Sequence, residues 1–229
     1  MQRDLPFMTA PPWAALAQLA RVVSLDDPER LNRVQIRLLA FDGAEGQDAP
    51  LWARVVAPFA GDQRGLFMLP DVDDEVLVLM AQGDARAPLI LGGLWNGSAA
   101  APADIAAGGV NRTKRLRSKN GIQITLLDES GQETLTLETP GGTRVTLKDG
   151  PSQLTLEDAN GNSIKLETSG ITVTAAAKVS VQAANVEVTA GMVKVDAAIA
   201  DFSGIVKCAV LQTNAVISAS YTPGAGNVW

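Results

Sequence analysis

Asp128 and Glu129 with Glu133, and the adjacent Glu157 and Asp158, are the residues whose types and spacing could do chemistry. Paired carboxylates cut glycosidic bonds, one as acid and the other as base or nucleophile, and a β-helical polysaccharide-degrading spike would use such a pair. These carboxylates fall at expected turns, where acidic residues commonly shape the backbone and meet water. No aromatic residue stands between Trp95 and Phe202 to offer a sugar platform. The chain has no histidine, which removes the commonest general base and metal ligand and excludes Ser-His catalysis. Its one cysteine, Cys208, cannot build a zinc site or an intrachain disulfide, and reads as a small buried apolar residue. No catalytic residue, metal or cofactor is expected, and the chain reads as a non-enzyme.

Trp52, Phe59 and Phe67 could stack on bases, as aromatic residues do on single-strand-binding barrels. Phosphate affinity rests on clustered cations, however, and the formal net charge is -6. With no basic groove expected beside them, these rings read as core or subunit contacts, and no nucleic acid is expected as partner. The one basic cluster is Arg112, Lys114, Arg115, Arg117 and Lys119. It reads as a solvated neck, with docking onto an acidic partner or a neighbouring protomer as the alternative.

The elements that must carry these residues divide the chain in two. From residue 51 to 97, apolar alternation is broken by Gly61-Asp62, Pro70-Asp71 and Gly83-Asp84, the grammar of short strands and tight turns. Upstream, Val34, Ile36 and Leu38 alternate with Arg33, Gln35 and Arg37, giving one dry and one wet face. Five such strands fit an OB-type barrel. Beyond it, apolar-x-apolar pairs recur at Ile122/Ile124, Leu135/Leu137, Val145/Leu147, Leu154/Leu156, Ile164/Leu166, Ile171/Val173, Val179/Val181, Val186/Val188 and Val193/Val195. Repeated layers mark a rod. A solitary antiparallel meander of these pairs would leave one face wet and both edges unpaired. Three copies around one axis would bring the pairs together as stacked aliphatic layers and let each edge bond to a neighbouring chain. The fold class expected is all-β, an N-terminal OB-fold barrel followed by an intertwined trimeric β-helix or β-prism spike, with these pairs as the trimer core.

The barrel stretch carries a resemblance. Trp52-Ala53-Arg54, Pro58 with Gly61, Gly65 before Leu66-Phe67, Leu69-Pro70, Asp74-Glu75-Val76, Gly83-Asp84 with Pro88, and Gly92 to Gly97 follow in the order and spacing seen in one family. Over about a third of the chain it resembles the OB domain of the VgrG proteins of type VI secretion and of the baseplate V spike proteins of contractile phage tails. Related apical His-x-His iron sites have no counterpart here. The resemblance implies a homotrimeric central spike of a contractile injection system, which punctures a target cell envelope when the sheath contracts. It also implies a PAAR-like tip protein at the apex and possible effector cargo. Full VgrG chains begin with a large hub domain, so the short arm here implies a separate hub protein. Assembly is expected in the cytoplasm, then at the baseplate of a phage-tail-like particle that could be released extracellularly.

The expected divisions are an arm at 1–18, the OB domain at 19–97, a linker and neck at 98–119, the spike at 120–218 and a tip at 219–229. Phe7, Trp13, Trp52 and Arg54 are the expected hub contacts. Tyr221, Pro223, Gly224, Gly226 and Trp229 are the expected tip contacts, since a β-rod that ends abruptly exposes unpaired backbone groups.

Overall fold

A computed structural model describes residues 17–41, 43 and 49–218. Phe7, Trp13 and the five tip residues lie outside the described residues.

The first seven strands are β1 (Gln18–Ser24), β2 (Val34–Leu38), β3 (Leu51–Val55), β4 (Ala60–Gly61), β5 (Arg64–Gly65), β6 (Glu75–Met80) and β7 (Pro88–Leu94). Five of them close a barrel in the order β1-β2-β3-β7-β6. All neighbours are antiparallel except β3 and β7, which run parallel. The alternation explains the closure, because period-2 side chains give each strand one inward row. Val34, Ile36 and Leu38 from β2, Ala20 and Val22 from β1, Val76, Val78 and Met80 from β6, Ala53 and Ile90 fill the interior. Leu79 points outward instead.

Strands β4 and β5 form a separate two-stranded hairpin. Gly65 has φ +149, and a Cβ there would lie 2.9 Å from the Phe59 carbonyl oxygen. Only glycine allows the two strands to approach this closely.

The next seven strands are β8 (Thr113–Arg117), β9 (Gln123–Leu127), β10 (Thr134–Glu138), β11 (Arg144–Lys148), β12 (Gln153–Glu157), β13 (Ser163–Glu167) and β14 (Gly170–Thr174). They form one antiparallel meander, each strand paired with its sequence neighbours. Two sequence expectations change here. Strand β8 lies within the segment read as a neck, so the sheet begins before residue 119. Strand pairing from 113 to 174 also lies within one chain, where the sequence reading placed edge bonds between chains in every layer. Short glycine turns let consecutive strands meet before any partner arrives. The meander's outer strands, β8 and β14, are the two edges left for other chains.

Residues 180–229 form a second unit. Its described part contains no helix or strand and is exposed throughout. The chain bends at Ala184, Gly191 and Ala198, seven residues apart, with Val186/Val188 and Val193/Val195 on the straight runs between. Small residues at the corners suit a repeat that changes direction once per layer. The last three valine pairs, expected in a trimer core, are open to water in the single chain. Val181, Val188 and Val195 are each 70% exposed or more, and Val179, Val186 and Val193 are exposed as well. The physical reason is that one chain makes no ladder here. Without a paired strand alongside or a sheet across, a valine on a single extended run has only its own neighbours for cover. Among the described residues nothing covers these six side chains.

Candidate assembly interface

The register of the meander places the aliphatic pairs on one face. One row runs Leu116, Ile124, Leu137, Val145, Leu156, Ile164 and Val173 across all seven strands. A second runs Leu126, Leu135, Leu147, Leu154, Leu166 and Ile171, with Lys114 at its β8 end. Ile122 precedes β9, in the turn where its carbonyl accepts from the Ser118 N–H. Among the described residues no second layer packs on these rows, although Leu135, Val145 and Leu154 are half-buried by their neighbours. Leu137 and Leu156 are both 40% exposed, and Ile171 is 72% exposed.

The opposite face is polar, and it is the better covered of the two. Its central row is Arg115, Thr125, Thr136, Thr146, Thr155, Lys165 and Thr172. Thr155 is only 8% exposed, although the flanking Leu156 faces water. Beside this row, Gln123 Nε2 donates to Glu138 at 2.8 Å, and Arg144 bridges Glu138 at 2.6 Å and Glu157 at 3.2 Å. The Arg144 guanidinium, and then Gln123, hold the Glu138 carboxyl below its usual range. Four strands are thereby tied by side chains on the polar face alone.

The expected neck residues are distributed around the start of this sheet. Arg112 pairs with Glu129 at 3.5 Å, Lys114 with Asp128 at 3.8 Å, and Lys119 with Asp71 of the barrel at 3.6 Å. Arg115 donates to Thr125 and to the Pro102 carbonyl. All of these side chains are exposed enough for water to screen the ion pairs.

Of the carboxylates that could have done chemistry, Asp158 and Glu133 shape turns, Asp128 and Glu129 pair with Lys114 and Arg112, and Glu157 ends β12 rather than lying in the expected turn. Asp158 accepts from the side chain and backbone N–H of Asn162 and from Asn160. Those donors lower its pKa to about 2, so it stays ionised at neutral pH and cannot serve as a general acid. Glu133 accepts from the Gly131 N–H, and Glu157 is taken by Arg144.

On the barrel, Asp27 anchors the β1–β2 loop. It accepts backbone N–H bonds from Glu29, Leu31 and Arg33 and a two-pronged contact from the Arg33 side chain. Arg33 holds the Asp27 carboxyl well below the usual carboxylate range. The same guanidinium lies 5.7 Å from the centre of the Trp52 ring. Trp52 is therefore half-buried beneath its own chain, while Arg54 is exposed. Phe59 and Phe67 are 61% and 72% exposed, which removes the core reading for both. They line a groove with Arg54 and Arg64, so two cations do stand beside the aromatic rings, contrary to the sequence reading. Composition alone could not reveal this, because Arg54 and Arg64 are brought to one groove only by the fold. Cys208 is exposed in the single chain rather than buried.

Comparison with known proteins gives two matches that follow this division. Residues 18–95 match the type VI secretion system/phage-baseplate injector OB domain, and residues 134–200 match the phage baseplate V C-terminal trimerisation domain. The chain belongs to the VgrG and baseplate V spike family. Its similarity extends to Pseudomonas aeruginosa type VI secretion system spike proteins VgrG1c, at 30% identity over 95 residues, and VgrG1a, at 27% over 95 residues. Each alignment takes in 39% of this chain, and the chain spans only 13% and 15% of those two relatives. The trimerisation match lies over strands that leave an aliphatic face uncovered, and so supports a homotrimer. It also runs on through the exposed Val181, Val188 and Val195.

Proposed function

We propose that this chain is the structural central spike of a contractile injection particle, of phage-tail, extracellular or type VI-like kind. Three copies share the aliphatic faces of their β8–β14 sheets and form a stiff rod, and the valine pairs from Val179 to Val195 are covered in the same way. The barrels seat on a separate hub protein, with Phe7, Trp13, Trp52 and Arg54 as its contacts. A PAAR-like tip protein caps the apex at Tyr221, Pro223, Gly224, Gly226 and Trp229. Sheath contraction drives the rod through a target cell envelope, with effector cargo carried at the tip. Cytoplasmic assembly precedes incorporation at the baseplate.

One observation carries the reading: two aliphatic rows across the hydrogen-bonded strands β8 to β14 have no second layer over them among the described residues. Fully burying a side chain of this size is worth roughly 1.5–3 kcal/mol. A contiguous exposed apolar face of this kind marks an interaction surface. The test is the mass of the purified full-length protein by light scattering at micromolar concentration. A value of three chains is expected, and a stable monomer ends the proposal. Pull-down of sheath, tube or hub proteins from a producing culture then separates an injection spike from a free polysaccharide-degrading trimer, whose activity would be glycan release.

A further inference from the structure

The groove at the β4–β5 hairpin has a volume of about 590 Å³ and opens to solvent. Val56, Phe59, Phe67 and Met68 line it, each 47% exposed or more. Arg54 and Arg64 stand in its wall, and neither has an ion pair among the described residues. An apolar patch rimmed by unpaired cations marks a contact surface rather than a solvated one.

We infer that a second copy of this chain fills the groove, so that the barrels, and not only the sheets, meet in the assembly. The inference rests on the trimer reading and extends it to a part of the chain outside the matched trimerisation domain. Continuity supports it. Just past the groove, Asp71 is bonded to Lys119, which sits in the turn joining β8 to β9. That turn is flanked by Leu116 and Ile124, the first two members of the exposed aliphatic row. A neighbour that covers this row therefore arrives next to the groove as well. Charge supports it too. Asp73, in the turn before β6 of the same barrel and outside the groove lining, has no ion pair among the described residues. Every copy thus offers both the cations and an anion for a head-to-tail contact, the kind that closes into a ring. Two arginines on a chain of net charge -6 make a poor track for a phosphate backbone.

Hydrogen exchange on the full-length protein, purified alone, tests this. Its mass is measured first, beside that of the Phe67→Glu and Phe59→Ser variants. Both substitutions are at exposed positions, so the barrel should fold in each. The expected result is a trimer in all three, with amides of residues 56–69 exchanging at least about tenfold faster in the variants than in the parent. A parent trimer in which that segment exchanges as fast as in the variants overturns the inference and leaves the groove to a different protein. A parent monomer instead defeats the trimer reading itself. Binding of a fluorescent dodecathymidylate at about 50 mM salt that Phe67→Glu abolishes also overturns it, since the groove would then be a nucleic-acid site.

Discussion

Replacing Leu156 by glutamate should dissolve the assembly and spare the barrel. Leu156 sits at the centre of an aliphatic row, between Val145 and Ile164, with 40% of its surface still open to water. Full burial of a leucine is worth roughly 1.5–3 kcal/mol, so covering that remainder contributes about 0.6–1.2 kcal/mol per chain. Three chains make the layer worth about 2–4 kcal/mol to the trimer. A carboxylate in that place forfeits this and adds a desolvation penalty of several kcal/mol per ion, with like charges from two other copies nearby. Dissociation should strengthen by more than about a thousandfold, since 1.4 kcal/mol is a factor of ten. The sign with pH follows. Burial and like charge raise the carboxyl's pKa in the trimer, so the penalty is present above that raised value and disappears as pH falls below the ordinary glutamate value of about 4.3. Light scattering across pH 7 to 4 is the assay. Monomer at neutral pH with partial recovery in acid is expected, and Leu156→Ala should weaken the trimer without this pH dependence. A Leu156→Glu protein with the parent's mass and melting curve would refute the buried face.

Ile36→Ala removes a fully buried side chain from the barrel. It should cost about 2–5 kcal/mol in the barrel's unfolding transition and leave the trimer mass unchanged, as calorimetry with light scattering would show. Asp27 has a lowered folded-state pKa, so its contribution is present above about pH 3.9 and is lost only as pH falls through the lower folded value. Emission from Trp52, read against a Trp52→Phe control, should therefore hold steady from pH 7 to below pH 4, whereas Asp27→Asn should shift it already at pH 7. Asp158→Ala should free the turn between β12 and β13, raising hydrogen exchange at Asn160 and Asn162 several-fold at neutral pH, with exchange in the barrel unchanged.

The barrel was legible because β2 and β6 keep strict alternation between Gly, Pro and Asp turns, and each inward row can be read off by counting in twos. The doublets from Ile124 to Val173 were equally plain, since register in a meander puts every pair on one face. The doublets at Val181, Val188 and Val195 carry the same pattern without the ladder, because Ala-rich corners replace the glycine turns that fold one strand back on the next. Strand β8 was not legible. Its sequence TKRLR carries three cations and one leucine, so it reads as a charge cluster, and only the pairing of Leu116 with Ile124 reveals the row it continues. The parallel contact between β3 and β7 depends on closure of the barrel and leaves no local mark. The hairpin groove was hidden for a similar reason, because Phe59 and Phe67 have the same composition signature whether they face a core or solvent. The cover on Trp52 left no local mark either, since the guanidinium over its ring belongs to Arg33, 19 positions earlier, and is held there by the Asp27 clasp.

The uneven cover of the two sheet faces bears on how the rod is made. A one-residue slip of any strand would turn its aliphatic pair onto the polar face, because side chains alternate with period two. Hydrophobic burial cannot prevent that slip before copies meet, since the aliphatic face is then wet whichever residues it carries. The polar face can, because Gln123, Glu138, Arg144 and Glu157 make their contacts within one chain and only in the native register. Cross-strand threonine neighbours add to the same preference, at a few tenths of a kcal/mol up to about 1 kcal/mol per pair. Register is thus fixed by side chains facing away from the axis, while the driving force for assembly waits on the other face. Removing Arg144 should accordingly harm the rate and fidelity of assembly more than the strength of a trimer already formed. Refolding Arg144→Met from denaturant checks this. A lower trimer yield with little change in the dissociation of finished trimer is expected, and equal yields would mean that the turns alone set the register.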